Sequence, residues 1–260
     1  MLMGSVAAGT LAASVASGAT IFYEPFDDIS GWVSVPSWGV ETGSLSYNNG
    51  GPLVTSGNSA RKVAGSSGDF LRRELTLPIV DGNTYWVAML LKVTAAPTAN
   101  REFGFRQAGN GPNRLFLNWD PSAGTGGVLF LGTRDAAGDP GDGNATTNTN
   151  PTLTLGATNL IVFRIDAKAG NDDVWVWLNP AIGGADPSVS SAFGSSIGID
   201  NIATPTNLGH FFIGGSNSAD FVVDELRIGT TFGSVTPVPE PRTLAALPLV
   251  GLLAMRRRRA

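Results

Sequence analysis

The chain has no cysteine, a single histidine and few charged residues, and each shortage removes a class of chemistry. Without Cys there are no disulfides, no thiolate nucleophile and no Cys-ligated zinc, so stability has to come from the core. With His210 as the only imidazole, a multi-histidine metal site is excluded. A Ser-His-Asp triad would have to be built on that residue, and no G-x-S-x-G elbow accompanies it. His210 is therefore expected at a strand end with no catalytic duty. Charged residues make up 15% of the 260 positions, and the formal charge of −4 includes a terminal run of four arginines. Setting aside that run and Arg242 leaves 12 of the 17 basic residues against 21 acidic ones, a net −9. Such a body repels phosphate backbones, which disfavours nucleic acid as a partner. No sustained 3.6-residue periodicity is present, and no repeat of about 20 to 50 residues, which argues against propellers and solenoids.

What the chain does have is Gly at 34 positions and Pro at 16, enough to place turns between many short segments. Its 13 Phe and 6 Trp, in a 42% hydrophobic chain, suffice for a core. Short apolar stretches bounded by Gly, Asn, Asp and Pro predict strands at Thr20 to Phe26, Asp69 to Leu77, Thr84 to Val93, Arg101 to Gln107, Asn113 to Trp119, Gly127 to Gly132, Asn159 to Asp166, Asp173 to Leu178, His210 to Ile213 and Asp220 to Ile228. Phe103 and Phe105 alternate with Glu102, Gly104 and Arg106, so that strand has one buried and one solvated face. Gly170-Asn171-Asp172 between two apolar runs predicts a hairpin. The expectation is an all-β, two-sheet antiparallel sandwich over residues 20–236, with loops at Pro121 to Gly126 and Asp135 to Pro151.

The two ends carry targeting signals. Ser5 to Ala19 is small, apolar and uncharged and ends in Ser17-Gly18-Ala19, a small-x-Ala cleavage site, so residues 1–19 read as a signal peptide although no Lys or Arg precedes the apolar stretch. Residues 237–260 contain Val238-Pro239-Glu240-Pro241, then Arg242, an apolar run from Thr243 to Met255, and Arg256, Arg257, Arg258 and Arg259. The run, carried by Leu244, Leu247, Leu249, Val250, Leu252 and Leu253, reaches only about 20 Å as a helix against a bilayer core of about 30 Å, and Pro248 interrupts it. It reads as a marginal, temporary anchor whose arginines stay cytoplasmic. This tail resembles the PEP-CTERM sorting signal of exopolysaccharide-producing bacteria. The resemblance implies recognition of Pro239, Glu240 and Pro241 by a membrane-embedded exosortase, cleavage nearby, transient residence in the inner membrane, and delivery to the cell surface or extracellular matrix.

The body is similar to the concanavalin A-like jelly rolls, including the laminin-G-like group, through Phe22-Tyr23-Glu24-Pro25-Phe26-Asp27, Val174-Trp175-Val176-Trp177-Leu178-Asn179-Pro180 and Val223-Asp224-Glu225-Leu226-Arg227-Ile228-Gly229-Thr230-Thr231. The resemblance bears on fold more than on activity.

Jelly-roll β-glucanases carry Glu-x-Asp-x-x-Glu on one strand, and none of Glu24, Glu41, Glu74, Glu102 and Glu225 has Asp two residues on. Asp224 and Glu225 are adjacent, so in a regular strand they point to opposite faces, one as a surface charge and the other hydrogen-bonded at a sheet edge. Asp135, Asp139, Asp142 and Asn144 form a candidate calcium loop, with Thr147 where an EF-hand pattern needs Gly. Trp175 and Trp177 share a strand face opposite Val174, Val176 and Leu178, and are candidates for stacking on sugar rings. No cofactor other than calcium is suggested. The leading expectation is a non-enzymatic exported protein that binds polysaccharide; the alternative is a hydrolase or lyase with acids on separate strands. Deleting Val238 to Ala260 is expected to change the protein's location without unfolding the body, as checked by cell fractionation and circular dichroism; loss of the folded signal would refute the boundary.

Overall fold

In the longest strand, Thr84–Ala95, every residue from Tyr85 to Leu91 is buried, which a strand tolerates only when both faces are covered. Tyr85, Val87, Met89, Leu91 and Val93 enter one buried cluster, whereas Trp86, Ala88 and Leu90 enter another on the opposite side. That division sets the layer order of the molecule.

The computed structural model describes residues 18–33, 38–62, 70–95, 101–109, 111–120, 128–134, 144–147, 151–214 and 220–239. The signal-peptide stretch up to residue 17, Glu240 and everything after it, and Asp135, Asp139 and Asp142 lie outside the described residues. The strands are β1 (Thr20–Glu24), β2 (Trp38–Glu41), β3 (Ser59–Lys62), β4 (Phe70–Glu74), β5 (Thr84–Ala95), β6 (Arg101–Arg106), β7 (Asn113–Asp120), β8 (Val128–Thr133), β9 (Asn144–Thr147), β10 (Thr158–Asp166), β11 (Asn171–Leu178), β12 (Gly194–Asp200), β13 (His210–Gly214) and β14 (Asp220–Gly229), followed by a four-residue helix α1 (Phe232–Val235). They form two antiparallel sheets. One is nine-stranded in the order β2-β3-β14-β5-β10-β11-β12-β9 with β1 also on β14, and the other is five-stranded in the order β4-β13-β6-β7-β8. The expected two-sheet sandwich is present, and the expected hairpin joins β10 to β11 through Gly170, whose φ is +99°.

Side-chain alternation fills the space between the sheets. Leu71, Phe103, Phe105, Leu115, Leu117, Trp119, Phe211 and Ile213 from the five-stranded sheet meet Met89, Leu91, Ile161, Phe163, Val174 and Val176 from the nine-stranded one. The outer side of the nine-stranded sheet carries a second, smaller core of Trp86, Leu90, Leu160, Val162 and Trp177, sealed by Tyr47, Leu53, Ile182, Phe232 and Val235. Trp86 stacks on Trp177 at 5.7 Å and meets Phe232 at 5.3 Å between ring centroids. Thr231 caps α1 by accepting from Ser234 N, with Ser234 Oγ accepting from Thr231 N in return.

β14 changes partner along its length. Phe221 to Val223 pair with β3, and Leu226 to Gly229 pair with β1. Between them the ladder to β5 jumps from Asp224 to Arg227, a bulge in which Glu225 takes a φ of 55°. The C-terminal boundary also differs from expectation. Pro237 O accepts from Val54 N at 2.8 Å and Val238 packs against the second core, so the fold runs through Val238 and not only to residue 236. The strands β2, β3, β9 and β12 were not expected from the sequence. Phe232→Ala removes a fully buried ring from the second core and is expected to cost about 3–5 kcal/mol, read as a lowered urea midpoint; a change under about 1 kcal/mol would show that α1 does not seal that core.

Candidate polysaccharide-binding faces

The adjacent carboxylates of β14, Asp224 and Glu225, are buried at 0% and 1% exposure, not split between a surface and an edge. The bulge is the reason: the extra residue turns both side chains toward the loop 42–58, and both accept from Ser44 Oγ. Asp224 Oδ2 also accepts from Leu45 N at 2.7 Å. Glu225 Oε1 accepts from Ser56 N at 2.7 Å and from Tyr23 Oη at 3.2 Å, while Oε2 takes the Arg227 guanidinium. Arg227 in turn lies 4.9 Å over the Tyr23 ring. These acids are fully occupied in tying a loop to the central strand and present no surface to a substrate. Burial, with Glu225 adding to it, pushes the Asp224 carboxyl up to about 7 against the hydrogen bonds from Ser44 and Leu45.

The expected alternation on β11 is present, with Val174 and Val176 in the inter-sheet core and the tryptophans on the outer side. Trp177 is nevertheless only 2% exposed, and its indole N–H donates to Ser188 O at 3.1 Å and Ser191 Oγ at 3.2 Å. A sugar has no face of Trp177 to stack on, because the loop from residue 42 to 56 and α1 have closed over it. Trp175 is half-buried. Asn144 lies in strand β9, paired with Ile197, rather than in a loop. Among the described residues no group of three or more His, Asp or Glu side chains converges as a metal site.

The outer face of the five-stranded sheet is different in character, and sequence reasoning did not single it out. Strand register aligns Arg72, Phe212, Gly104, Phe116 and Gly132 in one row across β4, β13, β6, β7 and β8. Phe212 and Phe116 belong to neither core cluster. A Cβ on Gly132 would lie 2.4 Å from the Phe116 ring, so the ring lies flat over that glycine. Gly104 sits between the two aromatics with a φ of +150°, where a Cβ would meet Leu115 O at 2.3 Å. The Arg134 guanidinium covers Phe116 at 5.2 Å.

Polar groups surround this row. Glu74 pairs with His210 and His210 with Arg106 in the neighbouring row, and Glu102 with Asn118 in the next. Arg106 Nε and Nη2 donate to Gly111 O at 3.1 and 2.8 Å, and Arg114 Nη2 donates to Gln107 Oε1 at 2.5 Å. Glu102 takes Asn113 Nδ2 and lies 3.8 Å from Arg134. Burial, then the charge of Arg72, holds the Arg106 guanidinium below its ordinary value; the same two causes lower His210, which keeps its imidazole neutral near pH 7. His210 Nδ1 and Asn118 Oδ1 are buried and have no hydrogen-bond partner among the described residues. Such atoms are costly to leave unmet.

No family model matches the sequence, and no curated protein matches it. Solved structures do. The globular domain of T. cruzi calreticulin is similar over 92% of this chain and 100% of its own, with a TM-score of 0.56 and 12% identity. The carbohydrate recognition domain of Emp47p covers 84% of this chain and 99% of its own, with a TM-score of 0.45 and 14% identity. An endo-1,3-beta-glucanase from Streptomyces sioyaensis covers 85% of this chain and 99% of its own, TM-score 0.45, 14% identity. At 12% identity the likeness to the calreticulin domain shows the fold alone, a two-sheet antiparallel sandwich of the jelly-roll type.

The raised Asp224 carboxyl fixes a sign. The unfolded chain ionises Asp224 near 3.8 while the folded chain holds its proton to about 7, so the contribution of this group to stability is full below pH 3.8 and is lost as pH rises to about 7. Asp224→Asn is expected to remove that component, so the difference in melting temperature between wild type and variant should change progressively between these two values; a pH-independent difference would contradict the assignment.

Proposed function

We propose that the protein is a non-enzymatic, exported component of the cell surface or extracellular matrix that binds acidic polysaccharide on the outer face of its five-stranded sheet. The observation that carries this reading is the gathering of the part-exposed Arg72, Arg106 and Arg134 on that face, three of the 12 basic residues in a body whose net charge is −9. Guanidinium groups match carboxylate and sulfate in a planar, two-point geometry. The Phe116 ring over Gly132, capped by Arg134, and the unmet polar atoms of His210 and Asn118 suit a ligand that is both anionic and rich in hydroxyls. Uronate-containing or sulfated polymers have that chemistry. In this reading the tail is recognised by an exosortase-type enzyme after transient insertion in the inner membrane. Support comes from the fold itself: among the described residues Val238 is the last that packs on the second core, and Pro239, the first residue of Pro-Glu-Pro, is exposed.

A hydrolase or lyase is the second reading, favoured by the placement of His210 opposite Glu74 and beside Arg106 on the same face. Release of reducing or unsaturated sugar ends from a panel of acidic polymers would establish it and displace the first. For binding, the full chain is expected to be retarded in native gels containing polygalacturonate or alginate, with retardation weakening between about 50 and 200 mM salt. Arg72→Ala with Arg106→Ala is expected to reduce the affinity by about tenfold or more. Retardation that ignores both salt and these substitutions would refute the site.

A further inference from the structure

The Trp177 ring is sealed, but the outer face of the nine-stranded sheet is not covered along its whole length. Register aligns Trp86, Arg164, Trp175 and Ser195 in one row across β5, β10, β11 and β12. The Arg164 guanidinium lies between the two indoles, 5.8 Å from the centroid of Trp86 and 5.1 Å from that of Trp175. Asp166 fixes it end-on, accepting from Nε at 2.9 Å and from Nη2 at 2.8 Å, and Thr84 Oγ1 donates to Asp166 Oδ1 at 2.8 Å. Trp86 is buried at 2% exposure, whereas Trp175, Arg164, Asp166 and Ser195 are all half-buried.

Arg164 therefore occupies one face of the Trp175 indole. On the other side the next residue in the row is Ser195, too short to cover a ring. The result is an immobilised aromatic face with a polar wall beside it. The side chains that hold it, Arg164 at 27% and Asp166 at 19% exposure, keep oxygen and nitrogen edges in reach of solvent.

Charge identifies the kind of occupant. Arg164 is balanced by Asp166, and Lys168 by Asp173 in the adjoining row, so the patch carries no net charge, unlike the arginine face of the other sheet. A protein partner would require a broad apolar patch, and the exposed apolar groups here amount to part of one indole and Ile197. A ligand with one flat C–H face and a rim of hydroxyls fits better. We propose that Trp175, Arg164, Asp166 and Ser195 form a second saccharide site, selective for a neutral hexose polymer, in which the pyranose face packs on Trp175 and its hydroxyls meet the Arg164–Asp166 pair and Ser195. The site is independent of the arginine face, and since the outer sides of the two sheets look in opposite directions, a molecule using both holds two polymer chains together.

The test is native affinity electrophoresis of the full chain in gels containing hydroxyethyl cellulose, laminarin, dextran or galactomannan. Wild type is expected to be retarded by at least one of them. Trp175→Ala should weaken that retardation by about tenfold, the scale of one lost stacking contact. Ser195→Leu fills the open side of the ring while leaving the Trp-Arg-Trp row intact, and should weaken it equally, which separates a binding role from a packing role. Wild type that runs unretarded in all four gels, or both variants running as wild type does, would overturn the site. Polygalacturonate gels run in parallel report on the arginine face alone, so the two readings fail separately.

Discussion

The bulge at Asp224 and Glu225 is the constraint on which the rest of the molecule depends. β14 is central in the nine-stranded sheet, and at this point it must release β3 and engage β1. The inserted residue leaves a gap at the fork, and two buried carboxylates fill it by holding Ser44, Leu45 and Ser56 from the loop between β2 and β3. Buried carboxylates of this kind are tolerable only because every oxygen is met, by backbone N–H groups, hydroxyls and the Arg227 guanidinium. Once the loop is tied down, Tyr47 and Leu53 are carried onto Trp86 and Trp177, and α1 closes the remaining side. Two adjacent acids expected on opposite faces thus serve together to place a lid over the outer core.

That lid decides which surfaces remain available. It turns the part of the nine-stranded sheet around Trp86 and Trp177 into an interior layer, while Trp175 stays half-buried. The five-stranded sheet receives no such cover from the second core, and its outward positions are accordingly polar: Arg72, Glu74, Glu102, Arg106, Asn118 and Arg134. Phe116 lies among them because Gly132 leaves space for its ring. The two outer faces therefore differ in charge as well as in cover, one cationic and one balanced.

Much of the fold was legible in the residues. Phe103 and Phe105 against Glu102 and Arg106 identified the inner and outer sides of β6, and Val174 and Val176 against Trp175 and Trp177 did the same for β11. The strands that escaped notice, Trp-Gly-Val-Glu, Ser-Ala-Arg-Lys, Asn-Ala-Thr-Thr and Gly-Ser-Ser-Ile-Gly-Ile-Asp, are short or rich in small polar residues, and they become strands through the neighbours they pair with. The bulge was hidden because nothing in Asp-Glu announces a positive φ at a non-glycine residue. The arginine face was hidden for another reason: Arg72 and Arg106 lie on separate strands and Arg134 just beyond a third, and only register brings them together. Whether a tryptophan on an outer face is exposed depends likewise on loops distant in sequence, which is why Trp175 and Trp177 looked equivalent and are not.

The claim that the five-stranded sheet presents the acidic-polymer site is tested most directly by hydrogen–deuterium exchange of the full chain with and without oligogalacturonate. Binding at the arginine face predicts slowed exchange in β6, β7, β8 and β13, with residues 42–58 and α1 unchanged. Protection confined to residues 42–58 and α1, or no protection anywhere, would contradict it.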